Sequence, residues 1–528
     1  MKKLSFFLLF VLVLSLVPVL AQQNNNPGNN NNEIISGGIA GNGNNGYPSD
    51  SIFVINSFDY KLKGRTRVYA LEKKIDLVTG EEITGYSNFE RYIQNKKQLL
   101  INERVLKDNI IIEYTIEEAR EDGKYPVNLT IIAEDTWNIM ALPYPKYDTN
   151  SGFELTVKIR DYNFLGTMTP LRLDVGYIYD EEKRHIFKSL IDADIPFKLF
   201  GLYWTVDFDN YFNYQPNKDF HYYYANHTGL FVDIPIGRTT LNIGFSEYIV
   251  FNEENSNNDK DLTSKNFQEG LYMSSRPEIS WKIPTGFKLG EYRELTYTPK
   301  ISAAFNHEIL PWTLLETKKG PFLTFSHLLM IERIDWIGNF KKGYTASINN
   351  SFNFNFFYMS TDRQPFASQE YFTSYLDVNA AAYFIFTDFL GFYTRFKYRH
   401  WFNSYGDSAG DVLRGFRDSY IKSDYMISLN IDIPIRVLKV RLSEWFKTNF
   451  KAFDCDIQIS PTIDAAVYQE HTGDALGPGY FILAAGAEMI VYPLATRSMF
   501  MRISFAYGLL SPEKLKGYEL FIGMELHY

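Results

Sequence analysis

Tyr518-Glu519-Leu520-Phe521-Ile522-Gly523-Met524-Glu525-Leu526-His527-Tyr528 alternates without a slip. Tyr518, Leu520, Ile522, Met524, Leu526 and Tyr528 share one face, while Glu519, Phe521, Gly523, Glu525 and His527 share the other. Side chains of a β-strand point to opposite faces in turn, so this period of two sorts lipid-compatible chains from carboxylates. A strand long enough to cross a bilayer, greasy outside and polar inside, has that pattern. A strand of a soluble sandwich is usually shorter and bounded by turn residues.

The same texture recurs upstream. Phe153, Leu155, Val157 and Ile159 interleave with Glu154, Thr156, Lys158 and Arg160. Leu171–Val175, Tyr203–Asp209 and Thr345–Asn349 repeat it. Between 16 and 18 such segments follow Trp137, about ten residues each, and the expectation is an all-β transmembrane antiparallel barrel of 16 strands over residues 138–528. Polar breaks are long at Glu253–Asn266 and Tyr405–Ser423 but short at Pro235-Ile236-Gly237. Outer-membrane barrels carry long loops outside and short turns on the periplasmic side, which orients the chain.

Composition fits. The 528 residues are 45% hydrophobic and 17% aromatic, with 38 Tyr and 43 Phe, yet mean hydropathy is only −0.23. Barrels need that mixture for a greasy exterior, a wet lumen and aromatic girdles. A net charge of −9 argues against nucleic acid as a partner, since no basic segment neutralises phosphates. The single Cys455 forbids an internal disulfide and Cys-based zinc sites; a small apolar packing residue is its plainer reading.

Lys2 and Lys3 precede an apolar run from Leu4 to Leu16, and Ala21 offers a cut site. Residues 1–21 are therefore expected to be a secretory signal peptide, the run being short for a bilayer span. No Cys follows the cut, which argues against lipid modification. Residues 22–48, rich in Asn and Gly, should form a disordered tether.

Residues 49–137 differ. Phe53-Val54-Ile55 predicts a strand, and Val68, Leu71 and Ile75 a helix. Lys61-Leu62-Lys63-Gly64 is expected to turn between them rather than form a basic patch. Phe89, Ile93 and Leu100 predict a second helix. Ile110–Tyr114 and Val127–Ile132 then predict two strands. The order β-α-α-β-β suits one small α+β domain, on the periplasmic side by the loop argument.

Within one long break, Leu413-Arg414-Gly415-Phe416 resembles the (V/I/L)-R-G-(F/Y) loop of BamA-type outer-membrane assembly and translocation proteins. Four further elements follow the order of that family: a β-α-α-β-β module (POTRA) ahead of the barrel, Asp161-Tyr162-Asn163-Phe164-Leu165-Gly166, the segment Thr462–Tyr468, and Gly486-Ala487-Glu488 with Tyr492-Pro493-Leu494 before the aromatic end. The resemblance spans about residues 50–528. It implies a loop folded into the lumen with Arg414 paired to Asp464. A guanidinium in a lumen must find a carboxylate, and a bidentate pair fixes position as well as energy. Gly415 would let the backbone approach the wall, and Phe416 would wedge beside it. Asn430 stands where many relatives carry a second acid; Asp432, on the same face, is the candidate substitute. The plainer reading leaves Arg414 on a solvated outer loop.

The resemblance implies assembly or insertion of outer-membrane proteins, or polypeptide translocation, with the lipid bilayer and unfolded polypeptides as partners, periplasmic accessory proteins as possible ones, and no cofactor. Gly517, Gly523 and Tyr528 would lie in a last strand that pairs poorly with the first, glycine packing and pairing less well in strands. The alternatives are a passive porin or surface antigen, or a scaffold binding periplasmic partners through residues 51–136.

No enzyme is expected. Gly406-Asp407-Ser408-Ala409-Gly410 satisfies G-x-S-x-G, but that elbow needs a following helix and a parallel sheet. Asp411 to Ser419 carries charges and Gly415 without an apolar stripe. His185, His221, His227 and His307 show no metal spacing along the chain, and no metal is expected.

Overall fold

In a computed structural model, strands of alternating burial dominate the chain. The structure describes residues 47–528 apart from 149–151, 180–184, 217–221, 252–270, 290–293, 309–320, 357–371, 403–411, 417–420, 422, 448–453, 473–474, 496, 499, 513–514, 516 and 524–528. The expected signal peptide, most of the tether, the G-x-S-x-G stretch and Tyr528 lie outside the described residues.

The N-terminal module runs β1 (Ile52–Lys63), α1 (Val68–Ile75), β2 (Glu82–Thr84), α2 (Tyr86–Asn102), β3 (Ile111–Ile116) and β4 (Lys124–Glu134). Its sheet has the order β2-β1-β4-β3, with β1 and β4 parallel. The helices bury Leu71, Ile75, Phe89 and Leu100 against Phe53, Ile55, Leu129 and Ile131, each no more than 2% exposed. Two sequence expectations need correction. β2 interrupts the β-α-α-β-β order; at three residues it is too short to show a period. Lys61 to Lys63 belong to β1, so the turn begins only at Gly64.

The remaining strands form one antiparallel sheet in chain order, from Ile139–Asp148 to Tyr518–Gly523, whose last strand returns to pair with its first. It holds nineteen segments among the described residues. Ser423–Asp432 and Ile435–Val440 both pair with Cys455–Thr472 and are two halves of one bent strand, so the described residues make eighteen strands. Pro434, with no N–H to give a ladder, lies at the break. The described strands exceed the expected sixteen where hairpins turn on two residues, leaving no polar gap to count. Leu199 and Leu202 are separated only by Phe200-Gly201, both at positive φ as a type I′ turn requires.

Alternation becomes burial. Phe153, Leu155 and Val157 are 41–47% exposed, whereas Glu154, Thr156 and Lys158 between them are at most 9% exposed. Ile459, Ile463, Ile503 and Phe505 likewise face outward. An apolar exterior over a polar interior is stable only where hydrocarbon replaces water outside, and closure leaves few unpaired backbone groups for lipid to meet. Among the described residues no helix is long and apolar enough to cross a membrane. One helical turn at Leu442–Trp445 and a 3-10 turn at Phe164–Gly166, neither expected from the sequence, occupy connections between strands.

The module packs on the end carrying the short turns. Tyr69 donates to the Pro196 carbonyl (3.0 Å) and Lys73 pairs with Asp233 (2.9 Å). Asn102 donates to Asp335 (2.9 Å), and Arg497 reaches the Leu106 carbonyl (2.9 Å). Arg104 lies over the Trp336 ring at 4.4 Å and donates to Asn339. Burial, reinforced by nearby Arg497, pushes the Arg104 guanidinium down to about 10. It therefore stays charged at neutral pH and keeps its grip on the rim.

Candidate functional site: a loop anchored in the lumen

The chain returns into the barrel between the strands Gly391–Trp401 and Ser423–Asp432. Val412 to Phe416 lie against the inner wall, with Leu413, Arg414 and Phe416 at most 2% exposed. Arg414 makes a fork to Asp464, Nε to Oδ2 at 2.9 Å and Nη2 to Oδ1 at 2.6 Å, while its backbone N–H adds a third bond to Oδ2 at 2.8 Å. Its Nη1 donates to Asp432 and, at 3.0 Å, to Glu488. The strand register sets this convergence. Asn430 pairs with Asp464, Asp432 with Thr462, and Ser460 with Glu488, so inward positions of three adjacent strands surround one guanidinium.

The network is closed in charge. Glu488 also accepts from Arg502 at 3.0 Å, and Asp432 from Arg395 at 3.1 Å. Three carboxylates thus meet three guanidiniums, as burial demands when a lone ion costs several kcal/mol to desolvate. Asn430 carries no charge into the set; its amide instead donates to the Val412 carbonyl at 2.9 Å, holding the loop backbone. Glu519, on the inward face of the last strand, accepts from the Gly415 N–H at 2.9 Å. Of these partners the sequence pointed to Asp464 and Asp432. It quoted Glu488 within a stretch of the resemblance but not as a partner of Arg414, and it missed Arg502, Arg395 and Glu519, whose only available sign was their inward parity.

Gly415 has φ +86°, and a Cβ there would sit 3.1 Å from Ala484 and 3.2 Å from the Tyr507 backbone. Phe416 packs over Gly508, where a Cβ would come within 2.9 Å of the ring. Leu413, Phe416, Ile421, Met426, Tyr468 and Ile482 form an apolar cluster around this contact. Gly415→Val should cost about 2–4 kcal/mol through strain and overpacking. The measurement is limited proteolysis of residues 403–411, and faster cleavage than in the parent is expected.

The D-x-N-F-L-G element forms the joint between module and barrel. Asp161 pairs with Arg65 through both oxygens, at 2.7 and 2.9 Å. Asn163, fully buried, donates to Thr66 and Asp135, and Asp135 also accepts from the Arg65 and Thr66 backbones. Gly166, at φ +77°, lies so close that a Cβ would stand 2.0 Å from the Arg65 carbonyl oxygen.

At the seam, among the described residues, Phe521 pairs with Asp148 and Ile522 with Tyr147, antiparallel; residues 524–528 lie outside the described residues. Gly517 precedes the last strand, its carbonyl accepts from the Gly508 N–H at 3.2 Å, and nothing lies within 4 Å of where its Cβ would be. Gly523 is in the strand, and its missing Cβ admits the Tyr144 hydroxyl from across the seam.

Fold and site together define an antiparallel barrel with a loop salt-bridged into its lumen and a soluble module on its short-turn rim. No protein-family model matches the sequence, and no curated protein matches it either. Among solved structures the chain is similar to CdiB from Acinetobacter baumannii, at 12% identity and a TM-score of 0.47, covering 90% of this chain and 74% of that one. It is also similar to BamA from Haemophilus ducreyi lacking POTRA domains 1-3, at 11% identity and a TM-score of 0.37, covering 89% and 84%. CdiB from Escherichia coli gives 10% identity and a TM-score of 0.41, with 93% of each chain covered.

Proposed function

We propose that this chain is a bacterial outer-membrane protein of BamA-like type that assembles or translocates other polypeptides, with its POTRA-like module in the periplasm. The observation that carries the reading is the loop that Arg414 anchors in the lumen through Asp464, Asp432 and Glu488, beside the last strand of the barrel. Where the last strand parts from the first, the freed edges template incoming strands, because backbone groups in lipid must find partners. A client begins as an added strand there, recognised through its main chain rather than its sequence. The module offers the first contact: β3 lies at the edge of its sheet, and an extended segment can add to that edge by the same hydrogen bonding. The loop held by Arg414 keeps the lumen wall beside the seam rigid, since Glu519 of the last strand is tied to Gly415. No covalent chemistry is required of the chain.

Depletion tests this reading. Membrane fractions from depleted cells should lose other barrels or surface-exported polypeptides while inner-membrane proteins persist. Unchanged clients, with a steady liposome conductance that Arg414→Ala leaves intact, would establish a passive porin instead.

A further inference from the structure

We propose that the lumen wall holds a divalent-cation site formed by Asp207, Asp209 and His227. Asp207 and Asp209 are two residues apart on Leu202–Tyr214, and His227 stands directly across from Asp209 on Tyr222–Ile236. All three point inward, since Val206, Phe208 and Leu230 take the opposite parity. Their ligand atoms lie within 4.8 Å of one another. His227 Nδ1 is 3.4 Å from Asp207 and 3.8 Å from Asp209.

Two observations distinguish this group from an ordinary patch of acids. The imidazole is only 8% exposed, clamped face to face on Tyr248 at 4.1 Å, with Arg276 on the other side of that ring at 3.7 Å. Among the described residues it makes no hydrogen bond to any group outside the cluster, and its Nδ1 is aimed at the carboxylates of Asp207 and Asp209. The surroundings are also short of positive charge. Asp192 stands directly across from Asp209, and Asp194 from Asp207, giving four carboxylates in a two-by-two grid. Like charges directly opposed in a sheet repel. Arg172 pairs with Asp192 at 3.0 Å, but it reaches from the far side and leaves the other three facing His227.

One imidazole and two carboxylates are a mixed nitrogen-oxygen set, suited to a borderline ion such as Zn2+. Tetrahedral ligation places ligand atoms about 3.3 Å apart, so closing the site takes side-chain torsions and no strand movement. The Phe231 ring fills the space over Gly229, so the remaining position falls to Asp194, across from Asp207 on the other neighbouring strand, or to water. Such an ion would staple Leu202–Tyr214 to Tyr222–Ile236 and quench the repulsion.

The test uses the untagged full-length protein in detergent, stripped with EDTA and titrated with Zn2+ by calorimetry, with metal content read by mass spectrometry. The expected result is one equivalent bound, with affinity at least about tenfold lower in Asp209→Asn and in His227→Gln. Asp233→Asn, a change outside the cluster, should bind as the parent does. No bound equivalent, or equal affinity in all variants, overturns the proposal. Should His227→Gln fail to fold, X-ray absorption of the Co2+-loaded parent decides: an imidazole among the ligands supports the site, and its absence overturns it.

Discussion

Arg414→Ala is expected to cost about 3–5 kcal/mol and to release the loop, the largest effect of any single side-chain truncation in the barrel. The reason is an asymmetry. Removing the guanidinium leaves Asp464 with no cation and leaves Asp432 and Glu488 each with one of two, all three at most 2% exposed. Removing Asp464 alone leaves Arg414 with two carboxylates, so Asp464→Ala should cost less, about 2–3 kcal/mol. The double variant should be less damaging than the sum of the singles, because the interaction between the two side chains is lost in both singles and counted twice in their sum. Unfolding by denaturant in detergent, completed as a double-mutant cycle, measures the difference. Additive costs would mean that the two side chains do not act as a pair.

Gly166→Ala should have the second-largest effect, and at a different place. A methyl at φ +77° and 2.0 Å from the Arg65 carbonyl oxygen meets backbone that cannot swing aside. Left-handed strain and overpacking together suggest about 2–5 kcal/mol. The damage should fall on the joint: the Arg67 N–H bond to the Gly166 carbonyl and the pairing of Arg65 with Asp161 depend on this approach. Proteolysis near residues 135–139 should then free the module while the barrel stays intact. Gly237→Ala is the control, since its φ is +59° with nothing within 4 Å, and it should show only the conformational penalty of about 1–2 kcal/mol.

These two sites show where sequence is legible and where it is not. Alternation is a local property, so Phe153–Arg160 and Tyr518–Gly523 announce their faces without any tertiary knowledge. Strand number is less legible, because a turn such as Phe200-Gly201 leaves no polar gap. Arg414 and Asp464 were visible through a motif and its spacing. Glu488 was quoted as part of that motif, yet its place beside Arg414 depends on registers summed over several strands. The joint is harder still: Arg65, Asp135 and Asp161 are each ordinary alone, and they meet only because β1, β4 and the first barrel hairpin end at one point. The same holds for His227, whose neighbours in the chain include no ligand and whose neighbours across the sheet include two.

Polypeptide handling through the seam is the claim on which the functional account rests. The most direct measurement places cysteines at Tyr147 and Ile522, which face each other across the seam, in a background with Cys455→Ser. With the disulfide formed, appearance of newly made barrels or exported clients at the cell surface should stop, and reduction should restore it. Full client assembly by the oxidised, locked protein would contradict the account.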